Sequence, residues 1–109
     1  MNSATSDDPV LRDFLRGIEQ VRPLISQMIL FGSRAMGTHR PDSDYDVLVV
    51  VDRKEDALVD VLYEAVMDVL LAHGRLVSLK VFAKNEFERL QALHTPFMTH
   101  VVEEGVLLG

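Results

Sequence analysis

The sequence contains no cysteine, has few basic residues and has no apolar run long enough to cross a bilayer. The lack of cysteine excludes disulfides, thiolate metal sites and cysteine nucleophiles. Lys and Arg number 11 against 17 Asp and Glu, which gives a formal net charge of −6. This balance argues against broad binding to a nucleic-acid backbone. A nucleotide ligand is not excluded, because a metal ion can supply the positive charge.

The remaining composition is that of an ordinary globular protein. Hydrophobic residues make up 48% and charged residues 26% of 109 residues, a length that fits one domain. The polar, acidic start predicts a flexible N-terminus over residues 1–8, followed by a single domain over 9–109. It lacks the basic and apolar segments of a signal peptide, so a cytoplasmic location with no membrane contact is expected.

Apolar periodicity predicts the order α-β-β-α-β-α-α, and hence an α/β or α+β fold with a small mixed sheet. Asp8-Pro9 has the pattern of a helix N-cap and first turn, and we expect that helix to run through Val21 until Pro23 closes it. Met28, Met67 and Met98 are interpreted as core residues. The predicted strands lie at 25–31, 45–51 and 76–82, and the remaining predicted helices lie at 55–73, 85–93 and 97–104.

Two carboxylates begin the second predicted strand. Asp44 and Asp46 are two residues apart, so their side chains leave the same face, with Cα atoms about 6–7 Å apart. Such a pair can converge on two hard cations about 3.5–4 Å apart. Mg²⁺ commonly binds one or two carboxylates together with substrate phosphates. The pair therefore predicts a site for Mg²⁺, with two ions expected.

A Gly-Ser pair follows the first predicted strand. Gly32 lets the backbone approach a ligand closely, and Ser33 would add a hydroxyl donor and N–H groups if it opens a helical turn. Arg34 and Arg40 could place positive charge against phosphates. The pattern is not a Walker loop, because no Gly-Lys-Ser/Thr follows the glycine.

The two elements combine into one motif, Gly-Ser-x10-Asp-x-Asp, in which ten residues separate Ser33 from Asp44 and one residue separates Asp44 from Asp46. It resembles the signature of the DNA polymerase beta-type nucleotidyltransferase superfamily. Over roughly residues 10–105 the chain is similar to the minimal nucleotidyltransferases (MNT) of prokaryotes. The resemblance implies that Asp44 and Asp46 hold Mg²⁺ at the triphosphate of ATP. The residues that it implies for nucleotide binding are Gly32, Ser33, Arg34 and Ser43.

The third predicted strand departs from the superfamily pattern, which usually has another carboxylate there. Residues 76–82 contain no acid. Ser78 and Lys80 share a face, and one of them is expected in the region of the missing acid. A serine can ligate weakly or through water, whereas a lysine would oppose a metal but favour a phosphate. The general base therefore has no assigned residue.

The resemblance also implies a reaction and a partner. MNT proteins are often encoded with an all-helical HEPN toxin and can act as the antitoxin by transferring AMP from ATP to a toxin tyrosine. One alternative is a weakly active or inactive module that neutralises its partner by contact; another is transfer to a small molecule or an RNA end. Residues 97–108 are more apolar than a free terminus needs to be. Most are expected to pack onto the sheet and some to lie at a homodimer or HEPN interface.

Overall fold

The computed structural model describes residues 8–37, 40 and 43–108, which form one four-stranded sheet with helices on both faces. Of the residues predicted to be flexible, 1–8, residues 1–7 lie outside the described part of the chain, whereas Asp8 is described and caps α1. The helices are α1 (Pro9–Gly17), a 3₁₀ helix (Glu19–Leu24), α2 (Ser33–Met36), α3 (Asp56–His73), α4 (Lys84–Leu93) and α5 (Pro96–Glu104). The strands are β1 (Ile25–Phe31), β2 (Tyr45–Val51), β3 (Val77–Ala83) and β4 (Val106–Leu107).

The sheet is mixed, as predicted, with the strand order β3-β2-β1-β4. β1 is antiparallel to both β2 and β4, whereas β2 and β3 are parallel. Parallel neighbours require a crossover connection, and α3 provides it. This arrangement places the end of β1 and the beginnings of β2 and β3 along one edge of the sheet.

The strands separate two hydrophobic clusters, because successive side chains point to opposite faces of a sheet. The α1/α3 face carries the larger cluster, in which Phe14, Leu62 and Val47 are fully buried. The α4/α5 face carries a smaller one, built around Leu48, Phe87 and Met98. The helices therefore cover the two faces to different extents.

Two predictions about the helices are wrong. α1 ends at Gly17, and the chain continues as the 3₁₀ helix, which contains Pro23 instead of stopping before it. Ile18 and Val21 are three residues apart, a spacing that a 3₁₀ helix satisfies as well as an α-helix does. Met67 is 53% exposed on α3, because that helix buries only one of its apolar sides.

The C-terminal segment packs largely as expected. Met98, Val101 and Leu108 are at most 3% exposed, and Leu108 donates its backbone N–H to the carbonyl of Met28. β4 was not predicted, since two residues carry no periodic signal and pair only because β1 offers them an edge. Within the described ranges, none of the helices combines the length and the apolar character that spanning a membrane requires.

Candidate active site

The register between β1 and β2 brings the Gly-Ser turn beside the second aspartate. Phe31, the last residue of β1, lies opposite Asp46 in the antiparallel pair. Gly32 follows Phe31 directly and caps the N-terminus of α2. The turn and the carboxylate, 14 positions apart in the sequence, are therefore neighbours in space.

Gly32 is in a backbone conformation that side chains rarely allow, with φ of 76° and ψ of −159°. A Cβ atom built on it would lie 2.6 Å from Oδ2 of Asp46. The missing side chain thus leaves room for the carboxylate against the backbone of the turn. Both the dihedral angles and the close approach require glycine at this position.

Ser33 opens a single turn of helix, as the sequence predicted. The carbonyl of Gly32 accepts the N–H groups of Ala35 and Met36, at 3.1 and 3.2 Å. The turn ends at Gly37, which is left-handed with φ of 74°. The hydroxyl and N–H of Ser33 consequently stand at the start of α2, one residue after the glycine that adjoins the Asp46 carboxylate.

The two aspartates flank a buried tyrosine at the start of β2. Asp44 is exposed, Asp46 is half-buried and Tyr45 between them is only 4% exposed. Burial raises the pKa of Asp46; the charge of Lys80 opposes this shift and that of Asp44 adds to it. A carboxylate that is costly to ionise in this environment gains from a cation bound next to it.

Tyr45, between the aspartates, forms a hydrogen bond with the N-cap residue of α1. Its hydroxyl donates to Oδ2 of Asp8 at 2.7 Å, while Oδ1 of Asp8 accepts the N–H groups of Val10 and Leu11 and so caps α1. Burial, together with this hydrogen bond, raises the pKa of Tyr45 to about 12. The cap was predicted; the bond to Tyr45 was not, because nothing in the sequence couples positions 37 apart.

Arg34, Arg40 and Ser43 hold together the loop that precedes the aspartates. The Arg34 guanidinium donates from Nε and Nη2 to the carbonyl of Ser43, at 3.2 and 3.0 Å, and lies 4.1 Å from the centre of the Tyr45 ring. The Ser43 hydroxyl accepts the N–H of Arg40 at 3.0 Å. These contacts support the position of Asp44; contact of Arg34 or Ser43 with a nucleotide stays a prediction.

β3 completes the site from the other side of β2. Ser78 lies opposite Asp46 and Lys80 opposite Leu48, so both share the face of the aspartates. In the part of the chain that the structure describes, no three His, Cys, Asp or Glu side chains are grouped to hold a metal. The two carboxylates fit Mg²⁺ only if substrate phosphates complete its coordination, which is the usual arrangement for this ion.

The chain as a whole has counterparts among known proteins. The sequence profile of the nucleotidyltransferase domain matches residues 11–104. The chain belongs to this family. A relative from Methanocaldococcus jannaschii, "Putative protein adenylyltransferase MJ0604", is 28% identical over 104 residues, covering 94% of this chain and 98% of the relative. Its near-complete coverage means that the nucleotidyltransferase domain accounts for almost all of both chains.

Solved structures confirm the nucleotidyltransferase fold. A chain from a crystal structure of the toxin–antitoxin MntA–HpeT aligns with a TM-score of 0.59 at 22% identity, covering 90% of this chain and 70% of that one. Another, from a toxin–antitoxin crystal structure with AMP-PNP, aligns with a TM-score of 0.56 at 20% identity, covering 89% and 70%. At these identities the likeness establishes the fold, and the expected small mixed sheet is confirmed.

Proposed function

We propose that this protein transfers AMP from ATP to a hydroxyl group of a partner protein in a Mg²⁺-dependent reaction. The observation that carries the proposal is the contact between the Gly32 turn and the Asp46 carboxylate. A turn suited to phosphates and a carboxylate suited to a metal are packed against each other, so one metal-bound triphosphate can engage both.

Each part of the site has a distinct task in binding the nucleotide. Asp44 and Asp46 would hold Mg²⁺ together with phosphate oxygens, and bound Mg²⁺ would neutralise charge on the departing pyrophosphate. The hydroxyl and backbone N–H of Ser33 would donate to the phosphates. The Arg34 contacts to Ser43 and Tyr45 would keep Asp44 in position while the nucleotide binds.

The transfer is a displacement at the α-phosphorus. The oxygen of the acceptor hydroxyl forms the new bond to phosphorus, and the bond from phosphorus to the α–β bridging oxygen breaks in line with it. Pyrophosphate leaves with that electron pair, and the hydroxyl proton passes to water. In-line geometry requires the acceptor hydroxyl to approach the α-phosphorus from the side opposite the departing pyrophosphate.

A protein acceptor fits the small size of the domain. A relative named as a protein adenylyltransferase matches 94% of this chain over 98% of its own length, which supports a protein as the acceptor. The resemblance to MNT proteins, together with the fold shared with chains of toxin–antitoxin complexes, supports a HEPN toxin as partner. We propose a tyrosine of that toxin as acceptor, so that transfer makes this protein the antitoxin.

The direct test uses ATP labelled at the α-phosphate. The purified chain is mixed with the product of the neighbouring gene and Mg²⁺, and label on the partner is read by electrophoresis and by intact mass. We expect label on a partner tyrosine, and its loss with Asp44→Asn, Asp46→Asn or a chelator. Equal ATP affinity in the wild type and both aspartate variants, measured by calorimetry with and without Mg²⁺, would contradict the site.

A contact-only antitoxin is the second candidate, and the composition of β3 favours it. Val77–Ala83 offers no acid to complete the usual set of three carboxylates. In that case the partner would be inhibited equally by the wild type and by Asp46→Asn, without label. Inhibition that needs ATP and Asp46 would exclude this alternative.

A further inference from the structure

The face of β3 that adjoins the aspartates carries a cation where the superfamily usually has an acid. Ser78 lies directly across from Asp46, and Lys80 is the next residue on the same face. Ser78 is half-buried, whereas Lys80 is exposed on the surface from which a nucleotide would approach. A serine hydroxyl is a weak metal ligand, and an ammonium group repels metal ions.

The register of the sheet places Lys80 on the same face as Asp46. Lys80 lies two residues beyond Ser78, which is the Cα partner of Asp46. No ion pair within 4.0 Å joins Lys80 to Asp46 in the described part of the chain, so the ammonium group of Lys80 is available to another anion. A dication placed between Asp46 and β3 would meet this positive charge with no third carboxylate to offset it.

We propose that this site binds a single Mg²⁺ with the nucleotide, and that Lys80 supplies the second positive charge by contacting the α-phosphate. The inference rests on the function proposed above and replaces the expectation of two ions with one ion and one ammonium group. Lys80 fits this role because an ammonium group is a point charge on a flexible stem, able to follow the phosphate during transfer.

The experiment counts metal ions instead of measuring turnover. Mn²⁺ replaces Mg²⁺, a non-hydrolysable ATP analogue replaces ATP, and electron paramagnetic resonance reports the Mn²⁺ bound per nucleotide. We expect one ion in the wild type and in Lys80→Met, which keeps the apolar stem but removes the charge. The double variant Ser78→Asp with Lys80→Met should bind two ions, since it restores the third carboxylate and removes the repulsion.

Nucleotide affinity provides the second measurement. Lys80→Met should bind the metal–nucleotide complex about 10- to 100-fold more weakly, as expected for one lost hydrogen bond between charged groups. Lys84→Met, an exposed lysine at the start of α4, is the matched control and should stay within about twofold of the wild type. Thermal unfolding of every variant without ligand establishes that each is folded before titration.

The outcomes separate this inference from the proposed function. Two ions in the wild type, or equal affinities for Lys80→Met and Lys84→Met, would overturn the role of Lys80 while leaving an aspartate-dependent nucleotide site intact. Failure of the folded wild type to bind the metal–nucleotide complex at all would overturn the proposed function as well. One ion in the wild type, two in the double variant and weakened binding in Lys80→Met would support the inference.

Discussion

The two faces of the sheet use the same strands for different purposes. On the α1/α3 face every side chain of β2 is buried: Tyr45 is 4% exposed, and Val47, Val49 and Val51 are fully buried. On the α4/α5 face only Leu48 and Val50 are buried to that degree, and Asp46 stays half-exposed at the start of the strand. Stability is therefore concentrated on one face and the polar site on the other.

This division teaches how a 109-residue domain accommodates a charged site without weakening its core. Alternation along β2 sends Tyr45 into the larger cluster while Asp44 and Asp46 point to the opposite face. A carboxylate within the α1/α3 cluster would lose its hydration without a partner, at a high free-energy cost. Substitutions on the two faces should consequently affect different properties, and four experiments test the separation.

The largest expected effect is on stability alone. Leu62 is fully buried on α3, so Leu62→Ala should reduce the free energy of unfolding by about 2–5 kcal/mol through lost burial and a residual cavity. Nucleotide affinity of the folded fraction should not change. Urea unfolding and calorimetry check the two halves of this prediction. The control Leu71→Ala, at a position 78% exposed, should shift unfolding by no more than about 0.5 kcal/mol.

Gly32→Ala should affect both properties, because Gly32 belongs to the backbone and to the site. Its dihedral angles would strain any other residue by about 1–3 kcal/mol, and the new methyl group would displace the Asp46 carboxylate. We expect lower unfolding temperature together with loss of metal-dependent nucleotide binding. Gly37→Ala is the matched control, since Gly37 also has positive φ but a Cβ there meets nothing within 4 Å among the described residues. Equal nucleotide affinities in the two variants would contradict the coupling.

Ser33→Ala should affect binding alone. Loss of one hydrogen bond to a charged phosphate is worth about 1.5–3 kcal/mol of binding free energy, and the backbone N–H groups remain. Calorimetric titration measures this effect, and the unfolding curve should coincide with that of the wild type. Ser26→Ala, at the other end of β1, is the control for binding and should leave nucleotide affinity unchanged, although it removes the hydrogen bond from the Ser26 hydroxyl to the carbonyl of Val50. A loss as large as that of Asp44→Asn would assign Ser33 more than phosphate binding.

The smallest effect concerns the residue between the aspartates. The pKa of Tyr45 is raised from 10.0 to about 12, because the folded state favours the protonated hydroxyl. The resulting contribution to the free energy of unfolding is fully present below pH 10 and is lost as the pH rises through 12. Tyr45→Phe should lower the free energy of unfolding by about 0.5–1.5 kcal/mol at neutral pH, through the lost bond to Asp8. Its urea midpoint should then fall less than that of the wild type between pH 10 and 12. Tyr63→Phe, at an exposed position, is the control and should show the same fall in urea midpoint between pH 10 and 12 as the wild type. An equally steep fall in Tyr45→Phe would contradict this account.

Much of the fold could be predicted from local patterns. β1 and β2 lie where their continuous apolar runs predicted them, and α3 ends before Gly74, a left-handed capping residue. The 3₁₀ helix and β4 could not be predicted, because one shares its spacing with an α-helix and the other depends on an edge that only the folded sheet provides. The prediction of a core position for Met67 was wrong for a related reason. The sequence shows that a residue is apolar, but not which side of its helix packs against the core.

The candidate site likewise has features that local patterns predict and features that depend on the folded sheet. Alternation predicts a shared face for Asp44 and Asp46, and in the structure Asp46 lies within β2 while Asp44 directly precedes that strand. The approach of Gly32 to Asp46 depends on the register between β1 and β2, and the position of Ser78 depends on the register between β2 and β3. Such pairings arise from tertiary structure, so a single sequence gives the residue types of the site without their neighbours.

The contact between Gly32 and Asp46 also has an evolutionary consequence. A homologue that has lost the carboxylate at this position no longer needs the space beside the turn, and once the turn itself has no phosphate to bind, its backbone can relax and accept a side chain at the glycine. Glycine and aspartate should therefore be lost together among descendants that have given up nucleotide chemistry. The pair would then mark, in any genome, which small domains of this fold have kept their catalytic function and which survive as binding proteins.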